Sequence, residues 1–240
     1  MNRRKTAAFC GIIVICVLAS VALFQLSVMA KEDMIAVTGF MSEKLEGGAP
    51  SGWDLKTSKG TPDLAVEKTE CCGYVLHLKS DSSSSYGIAK DLNLSKGEYP
   101  FLNWKWRVDT LPVGGDVRKA DKDDQAIQIY VAFKETGWPA KVNTPLVGYV
   151  WDNECPKGTT VTSPQPLAGK VRYIVIRDKT DKLGEWYTEK RNVFEDYKAL
   201  FPDIDGGAPR DIKAVSVYIN SQHTKSRAES WLADVYFSGN

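Results

Sequence analysis

A two-residue alternation of apolar and polar side chains constrains the fold more than any other feature of this sequence. In residues 101–109 the tryptophans fall on one side of the alternation, and Lys105 and Arg107 fall on the other. Residues 126–134 repeat the pattern. Successive side chains of a strand point to opposite faces of a sheet, whereas a helix would distribute these residues around its axis. Both segments are therefore predicted to be strands with one buried face.

Short runs of the same character recur every ten to twenty residues after Trp53, separated by Gly, Pro, Asp, Asn and Ser. This spacing is typical of a β-sandwich or β-barrel. The further strand candidates are residues 74–78, 86–94, 146–151, 171–177, 213–220 and 230–237.

One segment has the spacing of a helix. Its apolar side chains, from Val193 to Phe201, fall at i, i+1, i+4, i+7 and i+8, which places them on a single helix face. Asn192 is the predicted N-cap with Glu195 as its capping-box partner, and Pro202 ends the segment. We therefore predict an all-β fold, an antiparallel β-sandwich with one short helix at about 192–201.

The first thirty residues have the organisation of an export signal. A basic cluster precedes an uncharged, mainly apolar stretch, and Ala30 ends an acceptable cleavage site. The stretch is also long enough to cross a bilayer, so residues 1–30 are either a cleaved signal peptide or an uncleaved N-terminal anchor. Both alternatives predict a periplasmic or secreted domain, anchored to the inner membrane in the second case. The rest divides into a lead-in segment, residues 31–52, and a β-sandwich domain, residues 53–240.

Three cysteines follow the export signal, at Cys71, Cys72 and Cys155. Their odd number allows at most one intramolecular disulfide. A bond between adjacent residues is strained and rare, so two alternatives stay open. Either Cys155 pairs with Cys71 or Cys72, as an oxidising compartment favours, or all three are small buried side chains without a bond.

The charge of the chain excludes one class of partner. The formal net charge is +1 at pH 7, so no broad basic field is available for nucleic acid. We expect contact with a membrane only through the N-terminal segment. The GxSxG, Walker, HExxH and GxGxxG signatures are missing from the sequence. We therefore expect neither a familiar catalytic site nor a bound cofactor.

An acidic cluster is the one candidate for a metal site. Asp121, Asp123 and Asp124 precede a predicted strand, where carboxylate oxygens can hold a structural calcium ion. The spacing is not that of an EF-hand. The alternative is a solvated acidic turn, or a set of partners for Lys105 and Arg107.

Polar and aromatic side chains on the outward faces of the strands are the candidate ligand-binding residues. If the strands of Arg107 and Gln128 lie in one sheet, their outward side chains share a surface. Aromatic rings stack on sugar rings and polar groups bind hydroxyls, so this surface suits a carbohydrate or another small polar ligand. The alternative is an ordinary outer face with scattered aromatic residues. The candidates are Lys105, Arg107, Gln128, Tyr130, Tyr149, Trp151, Tyr218, Asn220 and His223.

Four segments in this order resemble the DUF3047 family. They are WKWRVD at 104–109, KDD at 122–124 leading into IYVAF at 129–133, YVW at 149–151 and RNVFEDY at 191–197. The resemblance covers about residues 53–238 and implies an exported bacterial β-sandwich of jelly-roll or galactose-binding type. It brings no established activity. It also implies an arginine where Gln128 stands, and hence a lost or altered site in this chain.

Two functions follow from these residues. The first is a non-catalytic binding module of the cell envelope for a carbohydrate or another polar surface ligand. The second is a jelly-roll polysaccharide-active enzyme, by analogy of fold. As a lyase it would neutralise a substrate carboxylate with Arg107 and Gln128 and use Tyr130 or His223 as the base. As a hydrolase it would pair two carboxylates from the set Asp109, Asp123 and Asp124.

Overall fold

All eight strand candidates form strands in the computed structural model, which describes residues 34–81 and 83–239. The fifteen strands, in chain order, are β1 (Met34–Ala36), β2 (Leu45–Glu46), β3 (Ala49–Pro50), β4 (Asp54–Lys59), β5 (Asp63–Thr69), β6 (Gly73–Asp81), β7 (Ser85–Leu94), β8 (Phe101–Thr110), β9 (Ile127–Phe133), β10 (Leu146–Trp151), β11 (Thr160–Thr162), β12 (Val171–Arg177), β13 (Tyr187–Asn192), β14 (Ile212–Asn220) and β15 (Arg227–Ser238). The described helices are α1 (Ala140–Asn143) and α2 (Val193–Leu200), with a 3-10 turn at Asp205–Gly207.

The strands form two large sheets. The six-stranded sheet has the order β13-β8-β15-β6-β5, with β1 added against β15. The seven-stranded sheet has the order β11-β12-β10-β9-β14-β7-β4, and β2 and β3 form a separate ribbon. Neighbouring strands are antiparallel except β10 and β12, which are parallel. The predicted β-sandwich is therefore confirmed.

The core between the two sheets is built on aromatic rings. Trp104 stacks on Tyr149 with ring centroids 5.2 Å apart, and Trp106 lies 5.8 Å from Trp151. All four rings are buried, so the prediction that the β8 tryptophans belong to the core is confirmed. Such rings bury 150–250 Å² each and dominate the stability of a core of this kind.

The placement of Tyr149 and Trp151 on the outer ligand-binding face is therefore wrong. They point between the sheets, and Val150 between them is buried on the opposite face. β10 is a central strand covered on both sides, so its sequence is almost continuously apolar and its outward face cannot be identified from periodicity.

Helix α2 packs against one side of the sandwich, next to β10 and β13. As predicted, Asn192 caps it: its Oδ1 accepts the backbone N–H groups of Phe194 and Glu195, both at 3.2 Å. Tyr149 Oη donates to Asp196 Oδ2 at 2.8 Å, and Arg191 Nε donates to the same oxygen at 2.9 Å. The Tyr149 hydroxyl thus joins the helix to the core.

Two predictions about the N-terminal part meet different outcomes. The signal peptide or anchor of residues 1–30 lies outside the described residues. Residues 34–52 of the predicted lead-in segment are instead an integral part of the sandwich, because β1 pairs with β15 and both Val37 and Ala49 are buried in the core. Among the described residues, no helix is long and apolar enough to span a bilayer.

Both alternatives left open for the three cysteines are wrong. Cys71 and Cys72 form a disulfide with each other in the turn between β5 and β6. Cys155 is free and buried in a small apolar cluster with Val150 and Tyr173, against the outer face of the seven-stranded sheet.

Candidate functional site

The strands of Arg107 and Gln128 lie in different sheets, which divides the predicted ligand-binding residues. Lys105 and Arg107 are on β8 of the six-stranded sheet. Arg107 Nε donates to Asp109 Oδ1 at 2.7 Å, and its guanidinium lies 4.7 Å from the Trp231 ring. Lys105 Nζ lies 2.8 Å from Asp234. The expectation that they share a surface with Gln128 is wrong, because alternation determines the face of a strand but not its sheet.

The other five candidates come together in one cleft on the outer face of the seven-stranded sheet. This cleft has a volume of ≈ 340 Å³. The sequence-predicted residues that line it are Gln128, Tyr130, Tyr218, Asn220 and His223. Further lining residues are Ser85, Asp123, Gln165, Tyr173, Ser216 and Gln222.

Strand register explains why these side chains meet. Tyr130 of β9 lies opposite Ser216 of β14 on one side and opposite Gly148 of β10 on the other. Gly148 in turn lies opposite Tyr173 of β12. Paired residues of neighbouring strands point to the same face, so this row crosses four strands at one level. Gln128 and Tyr218 form the next pair.

Two mid-strand glycines make room for the tyrosine rings. A Cβ atom at Gly148 would lie 2.7 Å from Tyr173 Cδ1 and 3.0 Å from Tyr130 Cε1. A Cβ atom at Gly87 would lie 2.7 Å from Tyr218 Cγ. All three distances are shorter than carbon van der Waals contact. The glycines therefore let the rings lie against the sheet backbone and line the cleft.

The three tyrosines form a cluster, defined here as Tyr130, Tyr173 and Tyr218. The ring centroid of Tyr130 lies 6.0 Å from that of Tyr173 and 5.9 Å from that of Tyr218, the second pair edge to face. Aromatic pairs at such distances are mutually stabilising. The cluster thus presents edges and faces of rings to the cleft in a fixed arrangement.

A chain of hydrogen bonds supports the cluster from below. Tyr130 Oη donates to Gln128 Oε1 at 2.9 Å, and Gln128 Nε2 donates to Gln125 Oε1. Gln125 Nε2 lies 3.2 Å from Asp152 Oδ2 and 3.3 Å from Asp123 Oδ1. Gln125, Gln128 and Asp152 are buried. A buried network with its members paired holds side chains in one orientation.

Burial shifts the pKa values of the tyrosine and aspartate side chains that line the cleft. It raises the pKa of Tyr130 well above its usual value, and it raises the pKa of Tyr173 and Tyr218 in the same direction. Burial also raises the pKa of Asp123, although Gln165 and Gln125 donate hydrogen bonds to its carboxylate. A buried phenol strongly disfavours its anion. The tyrosines are therefore hydrogen-bond donors at neutral pH, not bases.

Several polar groups in the cleft are available to a ligand. Within the described part of the chain, the hydroxyls of Ser216 and Tyr218 have no hydrogen-bond partner. Asn220 Oδ1 accepts from Ser85 Oγ at 3.1 Å, which leaves the Asn220 amide N–H groups free to donate. Among the described residues, no lysine or arginine lines the cleft. The cleft is thus polar, aromatic and almost uncharged.

The acidic cluster does not form a set of metal ligands. Asp121 is exposed, whereas Asp123 accepts from Gln165 Nε2 at 3.1 Å. Asp124 Oδ2 accepts the backbone N–H groups of His223 and Thr224 at 2.9 and 2.6 Å, which fixes the loop that carries His223. Between residues 34 and 239, Ser82 apart, no group of three or more His, Cys, Asp or Glu side chains is arranged to hold a metal ion. Among these residues, the oxygen ligands that the predicted calcium ion would need are therefore not brought together.

Sequence reasoning missed Tyr173, Gln125 and the two glycines. A signal for the glycines was present, since a glycine inside a strand often marks a close approach to its backbone. Tyr173 lies on the same face of β12 as Val171 and Val175, and the two-residue alternation that identified Tyr130 could have identified it as well. Gln125 precedes its strand, and its role depends on a network that no local pattern reveals.

Known proteins resemble the chain at low identity. The family 11 carbohydrate-binding module of the cellulosomal cellulase Lic26A-Cel5E of Clostridium thermocellum is 9% identical, with a TM-score of 0.46 over 86% of this chain and 95% of that one. A loop-swap mutant of Necallimastix patriciarum Xyn11A is 11% identical, with a TM-score of 0.40 over 88% and 98%. The family 29 carbohydrate-binding module CBM29_1 of Piromyces equi is 10% identical, with a TM-score of 0.38 over 86% and 90%.

These identities and TM-scores are too low to support an inference about this chain. No curated protein matches the chain. The model of the DUF3047 family, described as a protein of unknown function, matches residues 51–236, which is most of the chain. The chain therefore belongs to the DUF3047 family.

Proposed function

We propose that the protein is a non-catalytic carbohydrate-binding module of the cell envelope, and that the cleft of the seven-stranded sheet is its binding site. The observation that carries this proposal is the tyrosine cluster, held in place beside uncommitted hydroxyl and amide groups. Sugars present alternating apolar ring faces and hydroxyl edges, and this combination of rings and donors complements both. The envelope location rests on the predicted export signal.

The cleft favours uncharged sugar units. No lysine or arginine is among its described lining residues, and its one lining carboxyl group, Asp123, has a raised pKa. A uronate carboxylate bound here would be desolvated without an opposite charge, which is costly. The hydroxyl groups of a neutral sugar carry no charge, so their burial avoids this cost.

The geometry supports catalysis less well. A lyase needs a cation beside the substrate carboxylate, but Arg107 lies on the opposite sheet and is paired with Asp109. Tyr130 is a poor base because burial raises its pKa. A hydrolase needs two carboxyl groups facing the substrate. Asp109 lies on β8 and Asp124 is bonded to backbone N–H groups, so Asp123 has no partner from the proposed set.

The test is calorimetric titration of the purified protein with a panel of neutral and uronate-containing oligosaccharides. We expect saturable binding to neutral members and none to purely uronate chains. Tyr218→Ala should weaken binding about twofold to tenfold, since an aromatic contact contributes about 0.5–1.5 kcal/mol.

Tyr74→Ala is the matched control, because Tyr74 is a half-buried tyrosine of the six-stranded sheet. It should bind as the unaltered protein does. Lack of binding to every glycan, or equal losses in the two variants, would contradict the proposal. Incubation with uronate polymers should give no unsaturated product that absorbs in the ultraviolet. Formation of such a product by the unaltered protein but not by Tyr130→Phe would favour the lyase instead.

A further inference from the structure

A second volume continues the cleft beyond the tyrosine cluster. It measures ≈ 380 Å³ and shares Leu146, Ala168 and Val171 with the first. Its other walls come from α1 with the following Thr144, and from the loop of residues 166–170. Each volume by itself is within the range of a small-ligand site, which is roughly 300–1,000 Å³. A ligand of one sugar unit would leave the second volume unused.

Two strongly exposed apolar side chains lie on the segments that form the walls of this second volume. Leu167 lines it and is 83% exposed. Trp138 is 91% exposed and precedes α1, whose Lys141 and Val142 line the volume. Burial of a tryptophan is strongly favourable, so a ring left in solvent on a segment that walls a cleft indicates a contact surface.

The polar groups of the second volume differ from those of the first. Lys170 Nζ is held by Thr136 Oγ1 at 2.5 Å and Asn143 Oδ1 at 2.7 Å, both uncharged oxygens. Lys141 is exposed, and no carboxylate of the described residues lies within 4.0 Å of either ammonium group. Ammonium groups without an ion-pair partner can donate to hydroxyl or carboxylate oxygens of a ligand.

We propose that the second volume binds further units of the same linear polysaccharide chain, with Trp138 stacking on a sugar ring. This inference rests on the proposed function of the first volume. The continuity of the two volumes, the exposed ring and the two ammonium groups without an ion-pair partner together fit an elongated chain that crosses β9, β10 and β12. The ligand is therefore an internal stretch of a polymer, not a single sugar.

Titration with a disaccharide and a hexasaccharide of the same glycan tests this inference, using both a neutral series and one with uronate at alternate units. The unaltered protein should bind the hexasaccharide about tenfold more tightly than the disaccharide. Trp138→Ala should lower affinity for the hexasaccharide about threefold to tenfold and leave the disaccharide unaffected. The preferred series shows whether the continuing units are neutral or acidic.

Met41→Ala is the matched control, since Met41 is 85% exposed and lines neither volume. Equal affinity for both chain lengths, or a hexasaccharide affinity that Trp138→Ala does not change, would overturn the inference. If Tyr218→Ala still weakened binding in that case, the proposed function would stand without the extension. Absence of binding to any glycan would remove both.

Discussion

Gly148 determines how closely Tyr130 and Tyr173 approach the backbone of β10. An added methyl group would lie 2.7 Å from the Tyr173 ring, and both rings sit in a packed row that cannot shift freely. We therefore expect Gly148→Ala to destabilise the protein by about 1–3 kcal/mol, the usual cost of overpacking. Urea denaturation measures this. Gly169→Ala, where no atom lies within 4 Å of the new Cβ, should change stability little.

The same substitution separates packing from binding. If Gly148→Ala moves the tyrosine rings, its affinity for a neutral glycan should fall even under conditions where the protein stays folded. A variant with lowered stability and unchanged affinity would show that the tyrosine cluster is structural only.

Gln128 connects the cleft to the buried network. Its amide donates to Gln125 and accepts from Tyr130, so replacement by an apolar side chain of similar size leaves a buried oxygen unpaired. Gln128→Met should therefore cost about 1–3 kcal/mol in unfolding free energy. Gln222→Met, at the half-exposed rim of the cleft, is the matched control and should cost much less. Equal losses of unfolding free energy in Gln128→Met and Gln222→Met would mean that the buried network does not act as a unit.

At the scale of elements, the N-cap of α2 is the most localised contribution to stability. Asn192→Ala removes the acceptor of two backbone N–H groups and should cost about 1 kcal/mol. Asn192→Asp keeps an acceptor at the same position and should retain most of the stability. Thermal or urea unfolding of the three proteins measures the difference, and identical stabilities would show that solvent replaces the cap.

The elements themselves were predictable, but their partners were not. The two-residue alternation of apolar and polar side chains identified β8 and β9, and the helical spacing of apolar residues identified α2, because both patterns are local. The assignment of β8 and β9 to different sheets depends on contacts with β15 and β14, far away in the sequence. For that reason the cleft residues of β9 and β14 were correctly grouped, while Arg107 was grouped with them wrongly.

At the scale of the whole molecule, two buried carboxyl groups give stability opposite dependences on pH. Hydrogen bonds from Arg118 lower the pKa of Asp116 to about 2, so its contribution is present above its ordinary pKa and is lost as the pH falls through 2. Burial raises the pKa of Asp152 to about 6. A raised carboxyl pKa favours the protonated folded state, so this contribution is complete below about pH 4 and is lost as the pH rises through 6.

Asp152 should therefore make the folded protein less stable at pH 7 than at pH 4.5. A pKa shift of roughly two units corresponds to about 3 kcal/mol between the two protonation states, an upper bound on the change. Urea denaturation across this range, for the unaltered protein and Asp152→Ala, isolates the contribution, because other carboxyl groups titrate in both. The difference between the two unfolding free energies should shrink as the pH rises. Asp121 is exposed, so the unfolding free energy of Asp121→Ala should change with pH in parallel with that of the unaltered protein. The same parallel change for Asp152→Ala would contradict the assignment of this pH dependence to Asp152.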